Sequence, residues 1–379
     1  MPIPRTVFSD EHELFRRSVK AFIDREIAPY HDQWEKDGVV SREVWRKAGE
    51  AGLLLTGIPE EYGGAGANFL MSAIIIEELA RGLYSGPGFR LHSDIVAPYI
   101  LHYGSEEQKR TWLPRMAKGE VVTAIAMTEP GTGSDLQGLR TTAIAKGNQL
   151  VINGQKTFIT NGQLADLVIV ACKTDPKEGA KGVSLVLVEA DRAGFKRGRN
   201  LEKLGHKAQD TSELFFEDVS VPPSNMLGEE GRGFEYLMRE LPQERLIVGV
   251  AAVAIMEAAL EWTLAYTRDR KAFGRPIADF QHSRFKLAEV KTEVQVARVF
   301  LDKCLDLHIA GELDVPTAAM QKWWLTELEG KVLDVCLQLH GGYGFMWEYP
   351  IARAYADARV HRIFAGTTEI MKEIVARAL

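Results

Sequence analysis

The chain has 379 residues, enough for two or three domains with a large core. Its formal net charge is −6 and no stretch is strongly basic, which argues against a nucleic-acid partner. The three cysteines are far apart and the nine histidines are scattered singly. Neither a disulfide framework nor a metal site is therefore predicted.

The N-terminal stretch, MPIPRTVFSDEHELFRRS, has early acidic side chains and no apolar signal region. We expect no apolar run of membrane-spanning length. We therefore expect a soluble, cytoplasmic protein without a membrane span, neither secreted nor imported into an organelle.

Residues 1–120 predict an N-terminal α-helical domain. Ser9, followed by acidic residues, is a helix-start pattern, and an amphipathic run continues from it. Proline and glycine clusters separate the other helical runs from one another. Those runs are 41–53, 69–82, 87–103 and 105–118.

Residues 121–231 predict a middle β domain, either a barrel or a sandwich. Short runs rich in β-branched residues alternate with turns that contain Gly, Asn or Asp. The predicted strands are VVTAIAMT, TTAIAK, QLVINGQKTFIT, DLVIVACKT, GVSLVLVE and ELFFEDVSV.

Residues 232–379 predict a C-terminal α-helical domain. Helical periodicity returns near Gly233 and continues in three long runs, at 233–269, 279–310 and 313–340. Long helices with short connections are typical of an up-down bundle. The predicted fold class is therefore α+β and multidomain, in the order α, β, α.

Glu244 occupies an unusual position in the first of these long runs. The apolar residues around it follow the spacing of one helical stripe, and Glu244 falls on that stripe. A carboxylate aimed into an apolar core is costly unless it is paired, hydrogen-bonded or protonated. Pro242 is expected to kink the helix just before it. Two interpretations are equally open: a structural ion pair with Arg245, or a general base with a raised pKa.

Two stretches of the β domain have the chemistry of a cofactor site. MTEPGTGSDLQG at 127–138 is a Gly-rich turn that can present backbone N–H groups and hydroxyls to phosphate or to ring edges. No helix follows it, so the Rossmann fingerprint is rejected. KTFITNG at 156–162 places Phe158 and Thr160 on one face of a strand, where a ring could stack and a hydroxyl bond its edge. Taken alone, an ordinary turn and plain core packing are favoured.

Three stretches of the helical domain add to these. RDRKAFGRPIADFQ at 268–281 connects two helices, and its cluster of positive charges suits a diphosphate as well as a solvated helix end. QLHGGYGF at 338–345 has three glycines where a helix cap needs one. FAGTTEIM at 364–371 precedes a short helix whose N-terminus could face an anion.

These stretches, in this order and with this layout, resemble the acyl-CoA dehydrogenase family of flavoproteins. The resemblance covers essentially the whole chain. It implies a C-terminal four-helix bundle, FAD held between the β domain and that bundle, and a homotetramer built as a dimer of dimers. The motifs that carry it are MTEPGTGSDL, KTFITNG, DRKAFGRPIADFQ, QLHGGYGF with EYPIARAYADAR, and IFAGTTEIMKEIVAR.

The resemblance also implies which residues contact FAD. In the β domain, Phe158 matches the aromatic beside the isoalloxazine and Thr160 matches the hydroxyl near N5. The other β-domain positions that match flavin contacts are Met127, Thr128, Gly133, Ser134 and Ile159. Two turns of the bundle reach the FAD of a neighbouring subunit, through Arg270, Phe273, Gln281, Gln338, Gly341 and Gly342. The diphosphate and adenosine end matches Thr367 and Glu369.

One position departs from many members of the family. Those members carry a catalytic Glu immediately before the Gly-Thr of the last motif, whereas this chain has Ala365, which cannot take a proton. Long-chain and isovaleryl-type members carry the base in a Glu-Arg pair on the bundle helix, and LPQERL is similar to the long-chain enzymes. Glu244 is thereby implied as the base, supported by Arg245 and the Ala365 backbone N–H. Substrate contacts are implied for Ser134, Pro242, Arg245, Ala365 and Gly366.

The implied reaction is the α,β-dehydrogenation of a long-chain or branched acyl-CoA to a trans-2-enoyl-CoA. A base takes the α-proton, the β-hydrogen leaves as hydride to the flavin, and the electrons pass to an electron-transferring flavoprotein. An enzyme acting on a carrier-protein thioester and an acyl-CoA oxidase are alternatives, and a flavin-binding scaffold fits least. Residues 89–100 are expected at the pocket floor, but their order sets no chain length.

Overall fold

The computed structural model describes residues 3–379, and its elements follow the predicted order α, β, α. The N-terminal helices begin where caps are available: the Ser41 hydroxyl accepts from the Val44 backbone N–H, and Ser105 forms a capping box with Gln108. A π-helical segment, His92–Val96, joins α5 to α6. The helices are α1 (Asp10–Glu26), α2 (Ala28–Asp37), α3 (Arg42–Glu50), α4 (Phe69–Arg81), α5 (Phe89–Leu91), α6 (Ala97–Tyr103) and α7 (Glu106–Ala117).

The middle domain is an eight-stranded sheet. Its strands are β1 (Thr123–Ala126), β2 (Thr142–Lys146), β3 (Gln149–Thr160), β4 (Leu167–Lys173), β5 (Val183–Glu189), β6 (Phe195–Asn200), β7 (Thr211–Val221) and β8 (Met226–Leu227). The order is β6-β7-β3-β2-β4-β5-β8, with β1 paired in parallel to β4. Every residue of β4 is buried, so this strand lies at the centre of the domain.

The C-terminal domain is built on three long helices that pack on one another, α8 (Gly233–Asp269), α9 (Gln281–Ile309) and α10 (Val315–His340). A short hairpin, β9 (Lys271–Ala272) and β10 (Arg275–Pro276), connects α8 to α9. Two shorter helices pack against α10, α11 (Pro350–Ala358) and α12 (Thr368–Ala376).

Helix α4 belongs to two cores at once. Ile74 and Leu79 pack in the core shared by the N-terminal helices and the β domain, whereas Leu70 and Ile76 pack against α8 and the bundle. Helix α6 also contacts α8. The N-terminal domain therefore supplies one wall of the space beside the buried face of α8.

Several elements were not predicted from the sequence: α2, β6, β8 and the β9–β10 hairpin. Pro29 marks a break between α1 and α2, but it lies in the first turn of α2, where its missing N–H is tolerated. Strand β6 pairs only with β7 and most of its residues are exposed, so it has no alternating apolar pattern. The hairpin strands have two residues each, too short for a periodic signal.

The prediction that no apolar run reaches membrane-spanning length was wrong for α8. This helix is long and apolar enough to cross a membrane by length and composition alone, but 83% of its most apolar window is buried inside the protein. Its apolar surface is covered by α4, α9 and α10, as in the core helix of a folded domain.

Candidate active site

Glu244 lies on the buried face of α8 and is only 5% exposed. Its Oε1 accepts a hydrogen bond of 3.0 Å from the hydroxyl of Tyr99, a fully buried residue of α6. Pro242 lies inside α8, which continues unbroken through it, so the expected kink does not interrupt the helix. The carboxyl group is therefore fixed by one oxygen, and its position depends on the N-terminal domain.

The environment of Glu244 favours its protonated form. Burial raises the pKa of the Glu244 carboxyl to about 7, and the nearby Glu240 carboxylate adds to the rise. The Tyr99 hydrogen bond and the Arg245 charge act in the opposite direction. A carboxyl with a pKa near 7 is poised to take or give a proton at neutral pH.

The structural ion-pair interpretation of Glu244 is not supported. Arg245 is 4% exposed, yet within residues 3–379 it forms no salt bridge with Glu244. The Arg245 Nε has no hydrogen-bond partner in that same range. Neighbouring residues on a helix point to different sides, which explains why the pair does not form.

Lys322 on α10 connects this region to the loop before α12. Its buried Nζ donates a 2.7 Å hydrogen bond to the backbone carbonyl of Gly366. Burial lowers the pKa of Lys322 to about 7, and the nearby Arg245 charge lowers it further. Ala365 and Gly366 both have left-handed backbones, with φ of 53° and 98°. Lys322 therefore holds a strained turn near Arg245.

A buried ion pair joins the two cofactor-like stretches of the β domain. Lys156 Nζ donates to the Met127 carbonyl and to Glu129 Oε1, both at 2.9 Å. The Thr157 backbone N–H donates to the Thr128 carbonyl at 3.0 Å. Met127 and Thr128 are thereby fixed beside the backbone that leads into Phe158.

Phe158 projects from an irregular part of β3. The register with β7 shifts between Lys156 and Ile159, and Phe158 has a left-handed φ of 60°. Its ring is 67% exposed, while Ile159 is buried and Thr160 is half-buried. The assumption of a regular strand was therefore wrong here, and so was the idea of plain core packing, because an exposed aromatic ring at a bulge is available to stack on a ligand.

The basic turn and the Gly-rich turn of the bundle lie together. The Arg270 guanidinium is 5.6 Å from the ring centroid of Tyr343, and the Tyr266 hydroxyl donates to the His340 carbonyl. Phe273 is 96% exposed and has a φ of 51°. The start of α9 and the end of α10 at this surface also expose Gln281 and Gln338.

Three glycines at these sites have open space around them. Apart from its own chain neighbours, a Cβ added to Gly133, Gly341 or Gly342 would meet no atom of residues 3–379 within 4 Å. Packing within this chain therefore does not require glycine there, whereas close approach of a ligand or of another chain would. The exposed ring of Phe158 fits a planar ring system. The positive charge of Arg270 and the bare backbone of the Gly-rich turn fit a diphosphate.

The remaining predicted residues lie at the last helix. Thr367 caps α12 through a hydrogen bond from the Ile370 N–H, and Glu369 follows in the first turn. Ser134 is exposed in the β-domain turn. No hydrogen bond or salt bridge in residues 3–379 joins the β-domain group to the group around Arg270. The predicted cofactor contacts thus form separate groups within one chain.

Glu240 and Lys322 were missed from the sequence, and Tyr99 was included only as part of the expected pocket floor at 89–100, without a role of its own. Each lies in a helical run, where a tyrosine, a glutamate or a lysine at that spacing reads as an ordinary amphipathic position. Only the packing of α6 and α10 on α8 brings them to the site. No local signal could have identified them.

Comparison with known proteins agrees with this architecture. Family models for the N-terminal, middle and C-terminal domains of acyl-CoA dehydrogenase match residues 9–120, 124–219 and 231–379. The chain is 53% identical over 377 residues to the mitochondrial long-chain specific acyl-CoA dehydrogenase of Rattus norvegicus, covering 99% of this chain and 88% of that protein.

Solved structures agree as well. An acyl-CoA dehydrogenase from Geobacillus kaustophilus has a TM-score of 0.97 at 50% identity and covers 99% of both chains. A glutaryl-CoA dehydrogenase from Mycobacterium smegmatis in complex with FADH2 has a TM-score of 0.90 at 28% identity, covering 98% of this chain and 95% of that chain.

The α–β–α fold and these similarities define the class of protein as a flavoprotein oxidoreductase. The chain belongs to the acyl-CoA dehydrogenase family, whose members are FAD-dependent enzymes. The predicted family and fold class are confirmed.

Proposed function

We propose that the protein is a long-chain acyl-CoA dehydrogenase in which Glu244 removes the α-proton of the thioester. The observation that carries this proposal is a carboxyl on the buried face of α8 with a pKa raised to about 7 and, among residues 3–379, no ion-pair partner. Such a group accepts a proton near neutral pH. Ala365 leaves no carboxylate at the alternative family position.

Glu244 is prepared for this role by its single hydrogen bond. Tyr99 binds Oε1 and so leaves Oε2 as the oxygen that would take the proton. The acyl chain would exclude water from the carboxyl and would keep its pKa high. Arg245 would balance charge in the same space without taking the proton.

The thioester carbonyl would accept a hydrogen bond from the backbone N–H of Ala365. Preorganised backbone donors of this kind stabilise the negative charge that develops when the α-proton leaves. The left-handed conformations of Ala365 and Gly366 set the direction of that N–H, and Lys322 holds the turn through the Gly366 carbonyl. Ser134 and Pro242 are proposed as further substrate contacts.

FAD would be held at the residues that fit a ring and a diphosphate. Phe158, Ile159 and Thr160, with Met127, Thr128, Gly133 and Ser134, would contact the ring. The far end would meet Thr367 and Glu369, and in a neighbouring subunit Arg270, Phe273, Gln281, Gln338, Gly341 and Gly342. When bound, FAD supplies the acceptor for the β-hydrogen, which leaves as hydride while the double bond forms.

The finer points of assembly and electron transfer are also proposals. Phe273 and Phe345 are 96% and 83% exposed near one end of the bundle, and covering them in a homotetramer would remove that apolar surface from water. An electron-transferring flavoprotein is proposed as the acceptor. The cytoplasmic location stays a prediction.

Anaerobic reduction of the bound flavin tests the proposal. The purified protein should be yellow and should release FAD on heating, identified by chromatography. A long-chain acyl-CoA should bleach the flavin absorbance and yield the trans-2-enoyl-CoA in equal amount. Release of FMN, or no bleaching across a series of chain lengths, would reject the assignment.

A separate experiment identifies the electron acceptor. The substrate-reduced protein is mixed either with air-saturated buffer or with an electron-transferring flavoprotein, and flavin absorbance is followed. Rapid reoxidation by the flavoprotein and slow reoxidation by air supports a dehydrogenase. The reverse result identifies an oxidase.

A further inference from the structure

A second group of polar residues lines a cavity between α4, α8 and the segment around α5. One wall is apolar, with Ile75 and Leu79 from α4 and Ala251 and Ile255 from α8. The other wall is polar and consists of Ser85, Arg90, His206, Asp357 and His361. A cavity with one apolar and one polar wall fits a ligand whose own end is polar after an apolar stretch.

Several polar groups of this wall have no protein partner. His361 is 1% exposed, and its Nδ1 lies 2.9 Å from Oε2 of Glu329, but within residues 3–379 its Nε2 has no hydrogen-bond partner. The same holds for the Ser85 hydroxyl. Buried polar groups are nearly always satisfied, so these two atoms point to a missing ligand.

Arg90 provides the charge of this wall. Burial lowers the pKa of its guanidinium, and Glu329 and Asp357 act on it only as charges at a distance, with no hydrogen bond or salt bridge to Arg90 in the described part of the chain. Arg90 is half-buried. Its planar donors match a carboxylate in geometry, so an anion in the cavity would give the guanidinium a partner.

The neighbouring acids do not cancel this charge. Burial raises the pKa of Glu329 well above its ordinary value and lowers that of His361 well below its own. Nδ1 of His361 is therefore engaged by Glu329, which leaves Nε2 as the ring nitrogen that faces a ligand. Burial also raises the pKa of Asp357 to about 7, and its carboxyl accepts from the His206 backbone N–H. The wall therefore presents donors and positive charge.

The cavity lies along the same face of α8 as Glu244. Glu244, Val248, Ala251 and Ile255 recur every three or four residues and so share one face of the helix. At 1.5 Å per residue, Ala251 and Ile255 lie roughly 10 and 16 Å along the helix axis from Glu244. An extended acyl chain with its thioester at Glu244 would have to follow this face of α8 to reach the cavity.

We propose that the cavity receives the far end of the acyl chain, and that Arg90 with His361 and Ser85 binds a terminal carboxylate there, so that the enzyme acts on acyl-CoA thioesters bearing an ω-carboxyl group. The inference rests on the proposed function, since it places the α-carbon at Glu244. It adds the chemical group at the end of the acyl chain opposite to the thioester.

The test compares paired substrates of equal length, one ending in a methyl group and one in a carboxylate. Flavin bleaching by each is measured anaerobically over a series of chain lengths. Wild-type protein should show a higher kcat/KM with the ω-carboxyl substrate at the lengths that reach the cavity, and no such advantage with shorter ones.

Arg90→Met should reverse this preference. The ratio of kcat/KM for the ω-carboxyl substrate to that for its methyl partner should fall about tenfold, because Arg90 is half-buried and loss of a charge-assisted contact weakens binding by about that factor. Arg90→Lys keeps the charge and should retain part of the ratio. Arg199→Met makes the same change at an exposed residue and should leave the ratio unchanged.

Binding without turnover provides a second measurement. In a Glu244→Gln background, the shift of the flavin spectrum and the rise in melting temperature report binding of each thioester directly. Tighter binding of the ω-carboxyl partner, lost on Arg90→Met, supports the proposal. If methyl-ended substrates bleach the flavin but the ω-carboxyl ones bind no better, the inference is wrong while the proposed function stands; if neither bleaches it, the proposed function fails first.

Discussion

Glu244 and the pair Phe158 and Phe273 differ in their exposure to solvent, and this difference matches the different roles proposed for them. Glu244 is buried, hydrogen-bonded and tuned by groups of its own chain. Phe158 and Phe273 are exposed, and within residues 3–379 nothing beyond chain neighbours lies within 4 Å of a Cβ added at Gly133, Gly341 or Gly342. The contacts of the first region come from a single chain, whereas the second region is exposed at the surface.

This difference indicates how the two tasks are separated. Proton transfer needs a group whose pKa is set before substrate arrives, and a buried site of fixed geometry provides that. Cofactor binding needs surfaces that stay available until the ligand arrives, and the exposed rings and bare backbone of the second region suit the role proposed for them. Substitutions in the two regions should therefore change different measurements.

Glu244→Gln should have the largest effect on chemistry. Removing a general base lowers the rate by about 10² to 10⁴. The variant should keep FAD, bind acyl-CoA and shift the flavin spectrum, yet fail to bleach it. Adding Ala365→Glu supplies a carboxylate at the alternative position and should restore part of the rate. Flavin reduction at the wild-type rate in Glu244→Gln would place the base elsewhere.

The same substitution should stabilise the protein, in a pH-dependent way. Between about pH 4.5 and 7 the folded protein keeps a proton on Glu244 that the unfolded chain has lost, so the free energy of unfolding falls as pH rises through that window. At pH 8, Glu244→Gln should gain up to about 3 kcal/mol.

Melting temperatures of the two proteins at pH 5 and pH 8 measure this gain. It should be small at pH 5 and large at pH 8. Glu230→Gln, at an exposed residue with the same chemical change, is the control and should show no such dependence. An equal gain in melting temperature at both pH values would mean that the pKa of Glu244 is not raised in the folded protein.

Arg270→Ala should affect cofactor retention and leave proton transfer intact. Loss of a charge-assisted contact to a diphosphate should weaken FAD binding by about tenfold or more. FAD absorbance after gel filtration measures the loss, with Arg268→Ala as the neighbouring control. Variant protein reloaded with excess FAD should bleach normally; if retention is unchanged, the turn does not hold the cofactor.

Tyr99→Phe should give the smallest effect and report on positioning. The Tyr99 hydrogen bond lowers the pKa of Glu244, so its removal should move the acid limb of the kcat/KM pH profile upward, by about one unit. Glu240→Gln removes a charge that raises the same pKa and should move the limb downward. Shifts in the same direction for both variants would contradict this account.

Much of the molecule followed from local sequence patterns. The long helices had continuous 3.6-residue periodicity, and the main strands had β-branched runs between turn residues, so both were predicted within a few residues. The α4, α8 and α10 helices matched closely. Strand β6 and the β9–β10 hairpin were missed because an exposed edge strand and two-residue strands have no period to detect.

The site divides in the same way. Two unusual features of the site were visible in the sequence. Glu244 is a carboxylate on an apolar helical stripe, and the turn after α10 has three glycines where a helix cap needs one. The sequence left open whether Glu244 pairs with Arg245. Only the packed structure rejected that pair and supplied Tyr99 in its place.

The sequence by itself determined the order of the domains and the residues that break local patterns, because periodicity and turn chemistry act over a few neighbouring residues. The family was identified from the resemblance of its motifs. The tertiary structure decided which distant side chains share one low-dielectric space. Tyr99 beside Glu244, Lys322 beneath Gly366, and Arg90 with His361 at the end of the cavity come from separate elements. Burial and electrostatics depend on everything within a few ångströms, and that neighbourhood exists only once the helices have packed.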